Sequence, residues 1–185
     1  MHEKIVKMVA FGGSLRQGSY NRMFMEEFAS MSPPGSTFRI AEISDLPLYN
    51  QDLDGDPGEA VSRFRAALSE ADAILIVSPE YNYSIPGYLK NAIDCVSRPA
   101  DSNPFRDKPV AIASCSTGMM GGSRAQYHLR QVLQYLEART IPKPEVFVTY
   151  ASEKFGVDGK LKDDRTKGNM KAMLDRLVAS ARDKA

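Results

Sequence analysis

Apolar runs rich in β-branched residues alternate along this chain with segments whose apolar positions recur at helical spacing. The runs are Ile5–Phe11, Phe38–Ile43, Ala73–Val77, Val110–Ala113 and Val146–Tyr150. Three of them are nearly continuous in apolar residues, as a strand buried on both faces requires. Thr37-Phe38-Arg39-Ile40 alternates instead, as a strand nearer an edge does. Between the runs lie apolar stripes: Phe24, Phe28 and Met31; Val61, Phe64 and Leu68; Leu89, Ile93 and Val96. Leu129, Val132, Leu133 and Leu136 form a fourth, and Met170, Met173, Leu174, Leu177 and Val178 a fifth. Such spacing predicts helices that pack one face against a sheet. Gly35, Pro47, Pro57, Pro79, Pro86, Pro104, Pro109 and Pro142 fall near the boundaries between these elements.

Strict β–α alternation predicts an α/β fold, a doubly wound five-stranded parallel sheet with helices on both faces. Right-handed crossovers and five strands fit the order 2-1-3-4-5. That order opens a ligand crevice at the C-terminal ends of the first and third strands. With 185 residues, no internal repeat and no long linker, one domain over residues 1–185 is expected.

Composition narrows the function classes. Apolar residues make up 43% and charged residues 25%, and the formal net charge is +1, so no global field recruits nucleic acid or an anionic membrane. The longest strongly apolar stretch, Ala71–Val77, contains Asp72 and is far too short to span a bilayer. Met-His-Glu-Lys-Ile-Val at the start has no long apolar region, so no signal peptide is expected. Cys95 and Cys115 form no Cys-x-x-Cys pair, which suits free thiols in a reducing, cytoplasmic compartment. Two dispersed histidines and two dispersed cysteines predict no metal site.

The loop after the first strand reads Gly12-Gly13-Ser14-Leu15-Arg16-Gln17-Gly18-Ser19-Tyr20-Asn21. The glycines permit a sharp turn off the strand, and the next backbone N–H groups open a helix, where an anion is favoured. Ser14, Ser19 and Asn21 add neutral donors and Arg16 adds charge, which suits a terminal phosphate monoester. Gly13-xxxx-Gly18-Ser19 superficially resembles a nucleoside triphosphate loop, but the lysine that would bind β/γ phosphates is missing. A Gly-x-Gly-x-x-Gly dinucleotide fingerprint is absent too. A solvated turn with a Ser or Asn helix cap fits the same residues.

After the third strand comes Pro79-Glu80-Tyr81-Asn82-Tyr83-Ser84-Ile85-Pro86-Gly87. Two prolines stiffen it, and its aromatics and amide suit the edge of a flat heterocycle; a rigid surface turn is the alternative. After the fourth strand, Ser114-Cys115-Ser116-Thr117-Gly118-Met119-Met120-Gly121-Gly122 lets backbone donors approach a ring, or is simply a flexible loop.

Taken together, these segments resemble the NADPH-dependent FMN reductase family, which includes bacterial quinone, chromate and azo-dye reductases. The matching text is Gly-Ser-Leu-Arg-x-Gly-Ser-x-Asn at 13–21, Pro-Leu-Tyr-Asn-Gln-Asp-Leu at 47–53 and Pro-Glu-Tyr-Asn-Tyr-Ser-Ile-Pro-Gly at 79–87. Leu-Lys-Asn-Ala-Ile-Asp at 89–94, Ser-Arg-Pro at 97–99 and Ser-Thr-Gly-Met-x-Gly-Gly-x-Arg-Ala-Gln at 116–126 continue it, over about residues 5–150. The resemblance implies a flavodoxin-like fold in which Ser14, Arg16, Gly18, Ser19, Tyr20 and Asn21 hold the FMN phosphate. Pro79, Glu80, Tyr81, Asn82 and Tyr83 would line the isoalloxazine, largely through backbone groups. Ser116, Thr117 and Gly118 would approach its pyrimidine edge. Two departures stand beside the expected site mouth: Cys95 replaces an aromatic, and Tyr88 replaces a smaller residue.

The resemblance further implies an FMN-dependent oxidoreductase fed by NADPH or NADH, passing hydride through flavin N5 to a small-molecule electron acceptor such as a quinone, chromate, an azo compound or free flavin. The alternative is a flavodoxin-type electron carrier without its own turnover. No essential acid–base side chain is expected, because the cofactor carries the chemistry. His128 is expected on a helix surface or interface. Arg98 is expected to contact the NADPH phosphate, an anionic acceptor or solvent. Arg124 and Tyr127 open a helix that in this family commonly pairs subunits, so a homo-dimer or homo-tetramer is expected.

Overall fold

The computed structural model describes residues 4–183; the initial Met-His-Glu of the segment read for a signal peptide lies outside them. β1 (Val6–Gly12), β3 (Ala73–Val77) and β4 (Pro109–Cys115) form the centre of a parallel sheet. β2 (Ser36–Ile40) pairs with β1, while β5 (Arg139–Thr140) and β6 (Val146–Val148) both pair with β4. The path is therefore 2-1-3-4-5, as the alternation predicts, with the last position shared by two short strands.

That sharing is a correction to the single strand expected at Val146–Tyr150. Arg139–Thr140 sits beside the start of β4 and Val146–Val148 beside its end. Between them run Ile141-Pro142-Lys143-Pro144-Glu145, and a proline has no N–H to give a ladder. Thr149 and Tyr150 leave the sheet, Tyr150 turning with φ +50° into the short helix α5 (Ala151–Lys154).

Alternation along each strand divides the core in two. Met8 and Ala10 of β1, Leu75 and Val77 of β3, and Ala111, Ala113 and Cys115 of β4 face one side. There they meet α1 (Tyr20–Ser30) and α6 (Asp164–Arg182), through Phe24, Phe28, Met170, Met173 and Leu174. Val9, Phe11, Ile74, Ile76, Val110 and Ile112 face the other side. They pack on α2 (Gly58–Glu70), α3 (Gly87–Ser97) and α4 (Ser123–Tyr135) through residues such as Phe64, Leu89, Ile93 and Leu129. Phe11 and Phe64 meet edge-to-face at 5.1 Å, both fully buried. Burial of one such ring stabilises the fold by about 1.5–3 kcal/mol. Phe38 and Ile40 of β2 are half-buried while Thr37 and Arg39 are exposed, the edge pattern its sequence predicts.

Every strand of this sheet points the same way, so the loops leaving β1, β3 and β4 emerge at one end. Beta-strand order reverses between β1 and β3, which is where a doubly wound sheet opens a crevice.

Candidate active site

The first loop is shaped by close approach. The Gly13 N–H donates to the Val77 carbonyl at 2.9 Å, extending the β1–β3 ladder one residue beyond the strand. A Cβ at Gly13 would lie 2.6 Å from Ser78 Oγ and 3.2 Å from Leu89 Cδ2, so only glycine passes here without displacement. Gly18 takes φ +67° with open space around it, a left-handed turn that glycine adopts freely. The Arg16 guanidinium folds back onto the Gly18 carbonyl at 3.0 Å and stays exposed.

Ser19 occupies the N-cap of α1 and is buried, yet its hydroxyl takes no hydrogen bond from the first turn. Its carbonyl does the helical work, accepting from the N–H groups of Arg22 and Met23 at 3.0 and 3.1 Å. Capping serines ordinarily satisfy a first-turn N–H with the side chain. Here the N–H groups of Tyr20 and Asn21 have no protein acceptor among the described residues. Hydroxyl, helix start and guanidinium together form a donor set that fits a phosphate dianion.

Asn21 behaves differently from the free donor its motif suggests. Its Nδ2 donates to the Cys115 carbonyl at 2.9 Å, and its Oδ1 accepts from the Cys115 N–H at 3.0 Å. The side chain thus ties the first loop to the end of β4, leaving its backbone N–H to face an anion. Tyr88, at the start of α3, makes a second tie by donating its hydroxyl to the Gly12 carbonyl at 2.7 Å. Burial pushes its phenol pKa well up, so Tyr88 is a fixed hydrogen-bond donor at neutral pH.

In the second loop, Tyr81 and Ser84 exchange both backbone hydrogen bonds, at 2.9 and 3.0 Å, around Asn82 and Tyr83. Pro79 is buried beneath them. The Glu80 carboxylate turns away toward α4. Oε2 accepts from the backbone N–H groups of Arg124 and Ala125 at 3.1 and 3.3 Å, and Oε1 pairs with the Arg124 guanidinium. Glu80 therefore caps α4 across space, and its side chain is 8% exposed. The Arg124 guanidinium also lies 3.6 Å over the centre of the Tyr83 ring. His128 Nδ1 sits 3.0 Å from Ser84 Oγ, so this helix-surface residue adjoins the second loop.

The third loop is braced from below. Ser114 Oγ donates to the Gly121 carbonyl at 2.6 Å and accepts from Gln126 Nε2 at 2.8 Å. Ser116 Oγ accepts from the Gly118 N–H at 3.1 Å, while Thr117, Gly118, Met119 and Met120 are exposed. The second and third loops enclose a cavity of about 270 Å³ lined by Glu80, Asn82, Tyr83, Ser116, Gly118 and Arg124. A recess of about 110 Å³ lies beside the first loop, reaching Ser14, Asn21 and Tyr88.

A larger cleft of about 730 Å³ lies between α3 and α4 and holds Arg98 beside Tyr49, but none of the predicted cofactor residues. Volume alone does not locate the site; convergence of the three loops does. Cys95, expected at the site mouth, is buried with its thiol 3.6 Å from the Pro47 carbonyl, under the 47–53 segment. Sequence reasoning placed Arg124 at a helix start but missed its grip on the second loop. The signal available was the Gly121-Gly122 pair just before the helix; both glycines are left-handed and lead into the N-terminus of α4 that Glu80 holds.

The fold and its three-loop site define a flavodoxin-like α/β oxidoreductase domain. The chain belongs to the NADPH-dependent FMN reductase family, whose model matches residues 6–153. It is thus an FMN-dependent enzyme that draws on a reduced nicotinamide. An NAD(P)H-dependent FMN reductase of Pseudomonas aeruginosa is 45% identical over 174 residues, covering 93% of each chain. A quinone reductase of Pseudomonas putida is 41% identical, covering 90% of each. The solved structure of FerB, a flavoenzyme NAD(P)H:(acceptor) oxidoreductase from Paracoccus denitrificans, superposes with a TM-score of 0.88 at 32% identity, covering 97% of this chain and 98% of that one.

Proposed function

We propose that the three loops seat FMN with its phosphate at the start of α1, and that the loaded enzyme reduces quinones at the expense of NADH or NADPH. The observation that carries this reading is the Ser19 cap, whose unused hydroxyl lies beside open first-turn N–H groups. Ser14, Arg16, Gly18, Ser19 and the backbone of Tyr20 and Asn21 hold the phosphate. Pro79, Glu80, Tyr81, Asn82 and Tyr83 line the isoalloxazine through their backbone, and Ser116, Thr117 and Gly118 border its pyrimidine edge. When bound, FMN supplies reversible two-electron redox chemistry.

The protein's own part is orientation. Glu80 is held by Arg124 and two backbone N–H groups, and Tyr88 donates to Gly12, so neither is placed to shuttle protons. Quinone reductases among the relatives support a quinone as acceptor, and nothing in the family match favours a carrier without turnover. Chromate, azo compounds and free flavin are further acceptors to be compared with it. No helix among the described residues is long and apolar enough to cross a membrane. The unpaired thiols of Cys95 and Cys115 support a cytoplasmic setting. A homo-dimer or homo-tetramer paired through the helix opened by Arg124 and Tyr127 completes this reading, on the strength of the family resemblance.

The test is direct. Purified protein titrated with FMN should quench flavin fluorescence with one equivalent per chain, and NADPH should then be oxidised steadily once a benzoquinone is added. A chain that takes up no FMN, or that holds FMN but consumes no NADPH with any acceptor, overturns this reading.

A further inference from the structure

The first two turns of α1 are gripped from outside the three loops. Tyr20, Met23, Phe24 and Glu27 recur at i, i+3, i+4 and i+7, so they share one face of the helix. That face meets a hairpin at residues 155–161. The Phe155 ring lies 5.5 Å from the Tyr20 ring and 6.3 Å, edge-to-face, from the Phe24 ring. A Cβ on Gly159 would stand 3.6 Å from Met23 Cγ, so the turn passes close over that side chain. Lys160 Nζ pairs with the buried Glu27 carboxylate at 3.4 Å.

The hairpin is itself held in place. Phe155 and Leu161 bridge as antiparallel partners, and both are buried. The Gly156 N–H donates to the Lys160 carbonyl and the Lys162 N–H to the Lys154 carbonyl, each at 2.8 Å. One turn upstream, the Ala151 N–H donates to the Ser116 carbonyl at 2.9 Å, and the Ala151 carbonyl accepts from the Phe155 N–H at 3.1 Å. The short helix α5 therefore runs from the third loop to the ring that touches Tyr20.

Core burial accounts for Phe24 and Phe28, which are fully enclosed. Tyr20 is different, being half-buried and first in the helix. Its N–H is one of the two first-turn donors left without a protein acceptor among the described residues. Such donors serve an anion only when they are held in its direction. Contact with Phe155 fixes the residue that carries this one.

We propose that Phe155 is a positioning residue for FMN, aiming the first-turn N–H groups of α1 at the phosphate by way of the Tyr20 ring. The assignment rests on the FMN reductase reading above and deepens it: a residue beyond all three loops takes part in selecting the phosphorylated flavin.

The experiment titrates the full chain, freed of flavin, with FMN and with riboflavin, which has the same rings and no phosphate. It compares wild type, Phe155→Leu, Tyr20→Leu, the double variant, and Phe28→Leu, which trims a buried ring farther along the same helix. An aromatic pair of ordinary strength predicts that Phe155→Leu lowers FMN affinity roughly two- to tenfold while riboflavin affinity holds. Tyr20→Leu should do the same, and the double variant should fall no further, since all three remove one contact. Phe28→Leu should lower the melting temperature and leave the ratio of the two affinities alone. The phosphorus resonance of bound FMN should move in Phe155→Leu and keep its wild-type position in Phe28→Leu. Phe155→Met, nearer in volume, takes the place of Phe155→Leu if that variant does not fold. An unmoved ratio or resonance at position 155 overturns the proposal, as do single losses that add in the double variant or an equal shift in Phe28→Leu. A wild-type chain that binds riboflavin as tightly as FMN, or takes up neither, gives a distinct result: it removes the underlying placement of the phosphate and the proposal with it.

Discussion

The amide of Asn21 grips the backbone of Cys115 from both sides, donating to its carbonyl at 2.9 Å and accepting from its N–H at 3.0 Å. These residues lie 94 positions apart and belong to different loops of the site. Asn21→Ala leaves both Cys115 groups buried without that partner, at about 1–3 kcal/mol each. The expected outcome is a clear drop in melting temperature together with weaker FMN binding, because the first and third loops lose their registration. Melting at the wild-type temperature would show that the pair does not brace the loops.

Arg16 offers the opposite case. Its side chain is exposed and, among the described residues, bonds only to the Gly18 carbonyl, so its removal should hardly change stability. A hydrogen bond to a charged group contributes about 1.5–3 kcal/mol, so Arg16→Ala should weaken FMN binding roughly 10- to 100-fold. Fluorescence titration measures this, and an unaltered affinity would mean that the phosphate has been placed wrongly.

Gly13→Ala tests the close passage of the first loop over the second. The added methyl would meet Ser78 Oγ at 2.6 Å and Ser78 Cβ at 3.2 Å. Crowding of this kind costs about 1–3 kcal/mol. Adding Ser78→Ala removes the nearer atom but not the farther one, so the double variant should recover part of the loss. Urea denaturation midpoints decide it; no recovery would place the clash elsewhere.

Burial pushes the thiols of Cys95 and Cys115 up from their ordinary range. Both should therefore stay protonated and resist a disulfide reagent at neutral pH until the chain unfolds. The sign for stability follows from proton binding. Above the ordinary thiol pKa of about 8.5 the unfolded chain loses protons that the folded chain keeps, so stability is intact below that pH and declines above it. Denaturation at neutral and alkaline pH should show a smaller alkaline loss in Cys115→Ala than in wild type. Rapid labelling of both thiols in the native protein would contradict the burial.

Much of this fold is legible in the amino-acid sequence. Strand composition, helical stripes and chain alternation predict the sheet order, because a doubly covered sheet demands apolar runs and right-handed crossovers allow few arrangements. The divided last strand was missed because Val146–Tyr150 looks like a strand by itself, whereas Pro142 and Pro144 act on the neighbouring stretch. The site loops were recognisable from their glycines, prolines and hydroxyls. The partners of Asn21, Glu80 and Tyr88 were not, since each is a group distant in the chain: the Cys115 backbone, the start of α4 and the Gly12 carbonyl. Local composition reports what a side chain can bond, and only the fold decides what stands within reach. The left-handed backbone of Tyr83 was hidden for another reason, as Asn-Tyr carries no turn signal comparable to Asn-Gly.

The division of the last strand has a further effect, on how molecules of this protein meet. An open sheet edge is a template on which another chain can polymerise. At one border the template is broken by Pro142 and Pro144 into pieces of two and three residues. At the other, β2 is only five residues long and turns Thr37 and Arg39 outward. Neither border offers a run long enough to seed a fibril, which leaves the helical faces as the ground for any ordered self-association.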